Sequence, residues 1–96
     1  MTAYVLSPRA QADLDDIWDY TAATWSDAQA EFYIRDIWQA IEAIATDPRK
    51  GRVCDDIRAG YRKFLVGSHV MFYRQRGTGI DIVRILHRRM DFGQHF

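Results

Sequence analysis

Small or apolar side chains recur at Ala10, Leu14, Ile17, Trp18 and Thr21, and again at Ala30, Ile34, Ile37, Ile41 and Ile44, in steps of three and four apart from the adjacent Ile17 and Trp18. That period is helical, and the flanking residues predict where each helix starts and stops. Ser7-Pro8 supplies an N-cap followed by proline at the first helical position, where a missing N–H costs nothing. Ser26-Asp27-Ala28-Gln29 has the form of a capping box, so the chain breaks near Thr24-Trp25 and a second helix starts at once, giving a tight helical hairpin. This second helix ends at Asp47-Pro48, because proline cannot continue it. Trp38 lies one residue off the isoleucine stripe, with Phe32 and Tyr33 also flanking it, and such wide apolar coverage suits a helix packed on both its partner and a sheet. Asp13, Asp15, Asp16 and Asp19 crowd the early turns of the first helix, where the helix dipole is expected to favour them.

The rest of the chain changes period. Residues 3–6 form a short apolar run, and Arg49 to Gly60 reads as a connection with one short strand around Arg52 to Cys54. Three strands are then predicted at Tyr61 to Val66, His69 to Arg76 and Ile80 to Arg88, linked by Gly67-Ser68 and Gly77-Thr78-Gly79 in the manner of hairpins. The order βααβββ predicts an α+β fold of one domain spanning 1–96, an antiparallel twisted sheet packed against an N-terminal helical hairpin. Alternation along the strands puts Arg84 and Arg88 on one face with Ile82 and Leu86, and His87 on the other with Val83 and Ile85. Arg74 falls with Val70 and Phe72, and Arg62 with Phe64 and Val66. Arginine among aliphatic and aromatic neighbours on a sheet is the composition of a protein interface.

Charge is sorted along the chain. Residues 1–48 carry two basic against nine acidic side chains, and residues 49–96 carry eleven basic against four acidic, so a neutral total hides halves of −7 and +7. A cationic sheet is therefore the expected meeting place with a macromolecule. The pI of about 6.8 lies well below the range above about 9 usual for phosphate-neutralising domains, so direct nucleic-acid binding is not expected. The lone Cys54 permits no internal disulfide and reads as a small buried thiol. The opening Met-Thr-Ala-Tyr-Val-Leu-Ser-Pro has neither a basic n-region nor a long apolar stretch, and a cytoplasmic protein without membrane contact is the expectation. His69 and His87 lack partners at metal-ligand spacing and are expected to be hydrogen-bonded structural residues, with no metal or cofactor. Ser7, Ser26 and Ser68 sit at caps or turns, which leaves no nucleophile with its base. The last residues, Arg88 to Phe96, carry Met90, Phe92 and Phe96 and either fold back over the sheet or await a partner.

Taken in order, Leu6-Ser7-Pro8, Asp13-Leu14-Asp15-Asp16-Ile17-Trp18-Asp19-Tyr20, Asp47-Pro48 with Gly51-Arg52, Ile57-Arg58-Ala59-Gly60-Tyr61-Arg62, Gly67-Ser68-His69-Val70-Met71-Phe72-Tyr73-Arg74 and Ile85-Leu86-His87-Arg88-Arg89-Met90-Asp91 resemble the ParE toxins of the RelE/ParE superfamily over essentially the whole chain. The resemblance implies the toxin half of a bacterial type II toxin–antitoxin module, neutralised in a hetero-oligomer by a ParD-type antitoxin and directed at DNA gyrase. On this reading the target is met by Arg84, His87, Arg88, Arg89, Met90 and Asp91 with the tail through Phe92 and Phe96. The antitoxin is met by Arg58, Tyr61, Arg62 and Arg74 on the sheet and by an exposed aromatic edge around Trp18 and Trp38.

The competing class is a ribosome-dependent mRNA endoribonuclease of the RelE kind. Cleavage through a 2′-hydroxyl needs a general base, a general acid and cations around one phosphate, and Arg62, Arg74, Arg84 and His87 with Tyr61 or Tyr73 are the candidates. Strand parity points His87 away from Arg84 and Arg88, which favours an inhibitor that binds without turnover. A third class, a non-toxic binding module with the same fold, would be expected to have lost the tail motif, which is intact here.

Overall fold

A computed structural model describes residues 4–96. Two helices, α1 (Pro8–Thr24) and α2 (Asp27–Thr46), follow a short strand β1 (Tyr4–Leu6) and precede strands β2 (Arg52–Val53), β3 (Tyr61–Val66), β4 (His69–Arg76) and β5 (Gly79–His87). The caps are the expected ones. Ser7 Oγ accepts from the N–H of Ala10 at 3.0 Å with Pro8 in the first turn, and Ser26 Oγ accepts from Gln29 at 3.0 Å. The strand order is β1-β5-β4-β3-β2. The meander β3-β4-β5 is antiparallel as expected, but β1 joins β5 in parallel, Tyr4 opposite Ile80 and Leu6 opposite Ile82, so the sheet is mixed. β1 and β5 are separated in the chain by the helical hairpin and three further strands, a long connection of the kind a parallel pair requires.

One face of the sheet is covered by the hairpin. Leu14 and Ile17 of α1 and Ile37, Ile41 and Ile44 of α2 meet Met71, Tyr73, Ile82 and Ile85, all at most 6% exposed. Each fully buried isoleucine contributes about 1.5–3 kcal/mol, so this layer dominates the stability. Trp38 belongs to the margin of this core. It packs against Tyr4 with ring centroids 6.0 Å apart, and the expected exposed aromatic edge consists of Trp18 without it.

The other face carries a smaller cluster of Cys54, Val70, Phe72 and Leu86, over which Ile57, Tyr61, Phe92 and Phe96 pack. Cys54 is fully buried, and burial raises its thiol pKa. Strand parity fails at one place in β5. Register shifts between Phe72 and Tyr73, so that Phe72 faces Arg84 and Tyr73 faces Ile82, with Val83 as the extra residue of a bulge. Ile82 thereby lies on the helix face with Ile85, not with Arg84 and Leu86 as simple alternation predicts.

Where β1 ends, α1 takes over its role along β5. Ser7 donates its N–H to Ile82 O at 2.9 Å and its hydroxyl to Val83 O at 2.7 Å, and Asp13 Oδ2 accepts the N–H of Ile85 at 2.9 Å. The dipole reading of the aspartates does not hold, because the first turn of α1 contains no acidic residue and the dipole fades beyond that turn. Asp13 is instead a strand-edge cap.

Candidate functional site

The C-terminal segment leaves β5 through a turn that His87 organises. Arg88 donates its N–H to Ser68 O at 2.9 Å, Met90 to His87 O at 2.9 Å, and Arg89 to His87 Nδ1 at 3.2 Å. A 3-10 turn (Phe92–His95) then lays the chain back over the sheet. Both phenylalanines meet Phe72 edge-on, Phe92 at 4.9 Å and Phe96 at 5.0 Å, and Phe96 also meets Tyr61 at 5.8 Å. Of the two fates open to the tail, the structure takes docking, and the reason is apolar: Phe72 and Leu86 would otherwise face solvent. Arg88, Arg89, Met90 and Asp91 remain exposed between the end of β5 and the docked aromatics.

Arg84 is not free to meet a target. Its Nε and Nη2 each lie 2.9 Å from an oxygen of Asp13, and its Nη1 donates to His95 O at 3.2 Å. This guanidinium, 15% exposed against 12% for its partner, joins α1, β5 and the tail at one point. Hydrogen bonding to the Asp13 carboxylate holds its pKa above the ordinary arginine value.

On the sheet, Tyr61 lies beneath Arg58, whose guanidinium sits 5.8 Å above the ring, and Arg74 shares Asp81 with Arg76 in exposed ion pairs of 3.2 Å. Arg62 turns to the helix side and donates to Gly51 O at 2.9 Å, so it does not belong to the open face where Arg58, Tyr61 and Arg74 are displayed. Trp18 is 37% exposed, whereas Tyr20, Trp25 and Phe32 are far more so, and Phe32 therefore does not add to the buried apolar coverage expected of α2. Tyr20 and Phe32 lie off the buried stripes of α1 and α2, and Trp25 lies in the turn between the two helices.

The two strand histidines come together on the helix face, rings edge-on at 5.3 Å. Tyr33 Oη lies 2.6 Å from His69 Nδ1 and accepts the N–H of Ser68 at 3.0 Å. Burial, and then the neighbouring His87, lower the His69 pKa to about 4, so this imidazole is neutral at physiological pH. The pair lines a cleft of about 490 Å³ with Tyr20, Met90, Arg84, Asp13 and Asp16. Its one guanidinium is already neutralised, and two carboxylates border the space, which opposes a phosphate. Tyr73, the other phenol considered for chemistry, is fully buried, donating to Pro48 O at 2.7 Å and accepting from Gly51 N–H at 2.9 Å. No group of three or more potential metal ligands occurs among the described residues.

Residues 4–92 match the family model described as ParE toxin of type II toxin-antitoxin system, parDE. The chain is 56% identical over 89 residues to Toxin ParE1 of Mycobacterium tuberculosis, covering 92% of this chain and 91% of that protein. It is 46% identical over 95 residues to Toxin ParE1 of Caulobacter vibrioides, with 99% and 98% covered. A solved structure titled as the chromosomal ParDE TA system from P. aeruginosa superimposes with a TM-score of 0.79 at 22% identity, covering 91% of this chain and 96% of that one, and so shares the fold. A match across nearly the whole chain, with relatives of similar length and high identity, places this protein in the ParE toxin family of type II toxin–antitoxin systems.

Proposed function

We propose that this toxin blocks DNA gyrase by occupying it, without breaking a bond itself, and that a ParD-type antitoxin holds it inactive in the cytoplasm. One observation carries the non-catalytic part: of the groups that phosphodiester cleavage would require, the three guanidinium groups and the Tyr73 phenol are committed within the chain. Arg84 is bound to Asp13, Arg62 to Gly51, Arg74 to Asp81 and the Tyr73 phenol to Pro48. His87 spends Nδ1 on its own turn, and His69 Nδ1 faces Tyr33. Transition-state stabilisation needs donors aimed at a vacant position, and these are aimed at occupied ones.

The target-facing residues are then Arg88, Arg89, Met90 and Asp91, presented by the His87 turn and braced by Phe92 and Phe96. Arg84 serves as their anchor. The antitoxin is met by Arg58, Tyr61 and Arg74 on the open sheet face and by Trp18 on α1, with charge complementarity speeding encounter. Purified toxin freed of antitoxin is to be assayed against gyrase supercoiling and against translating ribosomes. A supercoiling block with intact message supports the proposal, and cut message with normal supercoiling refutes it. Deleting residues 89–96 is expected to abolish growth inhibition while the fold persists.

A further inference from the structure

The outer edge of β3 is only half paired. β2 covers it at Arg62 and Lys63, opposite Val53 and Arg52, and Cys54 donates its N–H to Tyr61 O at 3.0 Å. On the other side, the two-residue hairpin at Gly67-Ser68 pairs Val66 with His69 and Phe64 with Met71. Alternation of hydrogen bonding along an antiparallel strand therefore sends the N–H and C=O of Lys63 and Leu65 outward. Lys63 meets β2. At Leu65 the opposing chain has already turned away into the short 3-10 turn Pro48–Lys50, and no described group bonds its N–H or C=O.

Two further features converge there. Leu65 is 58% exposed, beside a groove of about 450 Å³ whose walls include Phe64, Val70 and Phe92 of the docked tail. Lys50, Arg52 and Lys63 line the same groove, and none of them takes part in an ion pair among the described residues. An open strand edge with apolar walls and three uncompensated cations sets the ligand chemistry: main chain must supply the hydrogen bonds and carboxylates the charge.

We propose that this groove binds an extended acidic peptide segment, added as a strand beside Leu65 in line with β2, with its carboxylates against Lys50, Arg52 and Lys63. The groove lies at the β3 edge of the open sheet face and shares Val70 and Phe92 with it, and the proposal does not depend on gyrase being the target. Phe92 makes one wall, so the docked tail completes the groove.

The test uses the full-length toxin, freed of antitoxin, and a fluorescein-labelled hexapeptide alternating glutamate and valine, followed by fluorescence anisotropy. Binding is expected, with loss of roughly tenfold or more in affinity for Leu65→Pro, which removes the outward N–H at an edge position that tolerates proline. Lys63→Glu is expected to weaken it similarly, as is raising salt from about 0.05 to about 0.5 M. Should Leu65→Pro disturb the fold by circular dichroism, the same hexapeptide methylated on alternate backbone nitrogens replaces it, with the wild-type protein; one of the two methylation registers must abolish binding. The idea is overturned if the peptide fails to bind, or if neither backbone change matters. It is equally overturned if an alternating lysine–valine peptide binds as well, or if a six-nucleotide thymidine strand binds with the same dependence on Leu65.

Discussion

Arg84 and Asp13, 71 residues apart in the chain, form a two-pronged pair in which both carboxylate oxygens receive a guanidinium N–H at 2.9 Å, while Oδ2 also takes the main-chain N–H of Ile85. The carboxylate thus stands where the next strand's carbonyl would be. Because both side chains are largely withdrawn from water, removing either leaves the other uncompensated. Asp13→Ala is expected to lower unfolding free energy by about 3 kcal/mol in urea, and Arg84→Ala by a similar amount. The double variant should lose much less than the sum, as coupled partners do. Single losses below about 0.5 kcal/mol would reduce the pair to an ordinary surface contact.

The Tyr73 hydroxyl ties the turn Pro48–Lys50 to the middle of the sheet, donating to Pro48 O and accepting from Gly51 N–H. Tyr73→Phe keeps the ring and strands both backbone groups. A loss of about 2–3 kcal/mol is expected by thermal or urea unfolding, more than a single exposed hydrogen bond would give.

His69 makes stability depend on pH in a defined window. Its folded pKa is depressed to about 4 from an ordinary 6.5, so between those values the unfolded chain binds a proton that the folded one does not. Stability conferred by the neutral ring is fully present above pH 6.5 and is lost as pH falls toward 4. Protonation would charge a ring that burial keeps neutral and place a cation beside His87. For a half-buried ring the effect is of the order of 1–2 kcal/mol after solvent screening. Urea midpoints measured across this range should fall more steeply for the wild type than for His69→Gln; parallel curves would exclude the imidazole as the cause.

Phe92 and Phe96 roof the cluster that contains Cys54. Substituting both by alanine is expected to lower stability by about 2 kcal/mol, since each ring is only partly buried. The sharper readout is chemical. A fully buried thiol with a raised pKa reacts slowly with a disulfide reagent near neutral pH, and opening the roof should accelerate that reaction roughly tenfold or more. An unchanged rate would mean that Ile57 and Tyr61 suffice as cover.

The elements legible in the sequence were those whose signals are local. Ser7-Pro8, Ser26 with Gln29, and Asp47-Pro48 mark helix ends by chemistry contained within a turn, and the Gly67-Ser68 link fixes the hairpin beside it. The glycine there is required twice over: its φ is +57°, and an added Cβ would stand 2.7 Å from the Tyr33 ring. What local pattern did not carry is set by partners far along the chain. β1 is three residues long and takes its direction from β5, and the Val83 bulge appears only where β4 and β5 are paired. The committed state of Arg84 depends on Asp13 lying across from it, so a cation read as free for a target turned out to be an anchor. Arg88, which the alternation placed at the end of the last strand, stands with Arg89, Met90 and Asp91 in the exposed turn after β5.

The strand made last is also the one on which the sheet depends. β5 lies between β1 and β4, so the first strand synthesised has no neighbour until residues 80–82 have left the ribosome. A nascent chain stopped short of that point has helices and a meander fragment with no means of joining its two ends, and long-range pairing of this kind folds late. The finished sheet is therefore complete only once β5 has paired with both of its neighbours, one adjacent in the chain and one almost its whole length away.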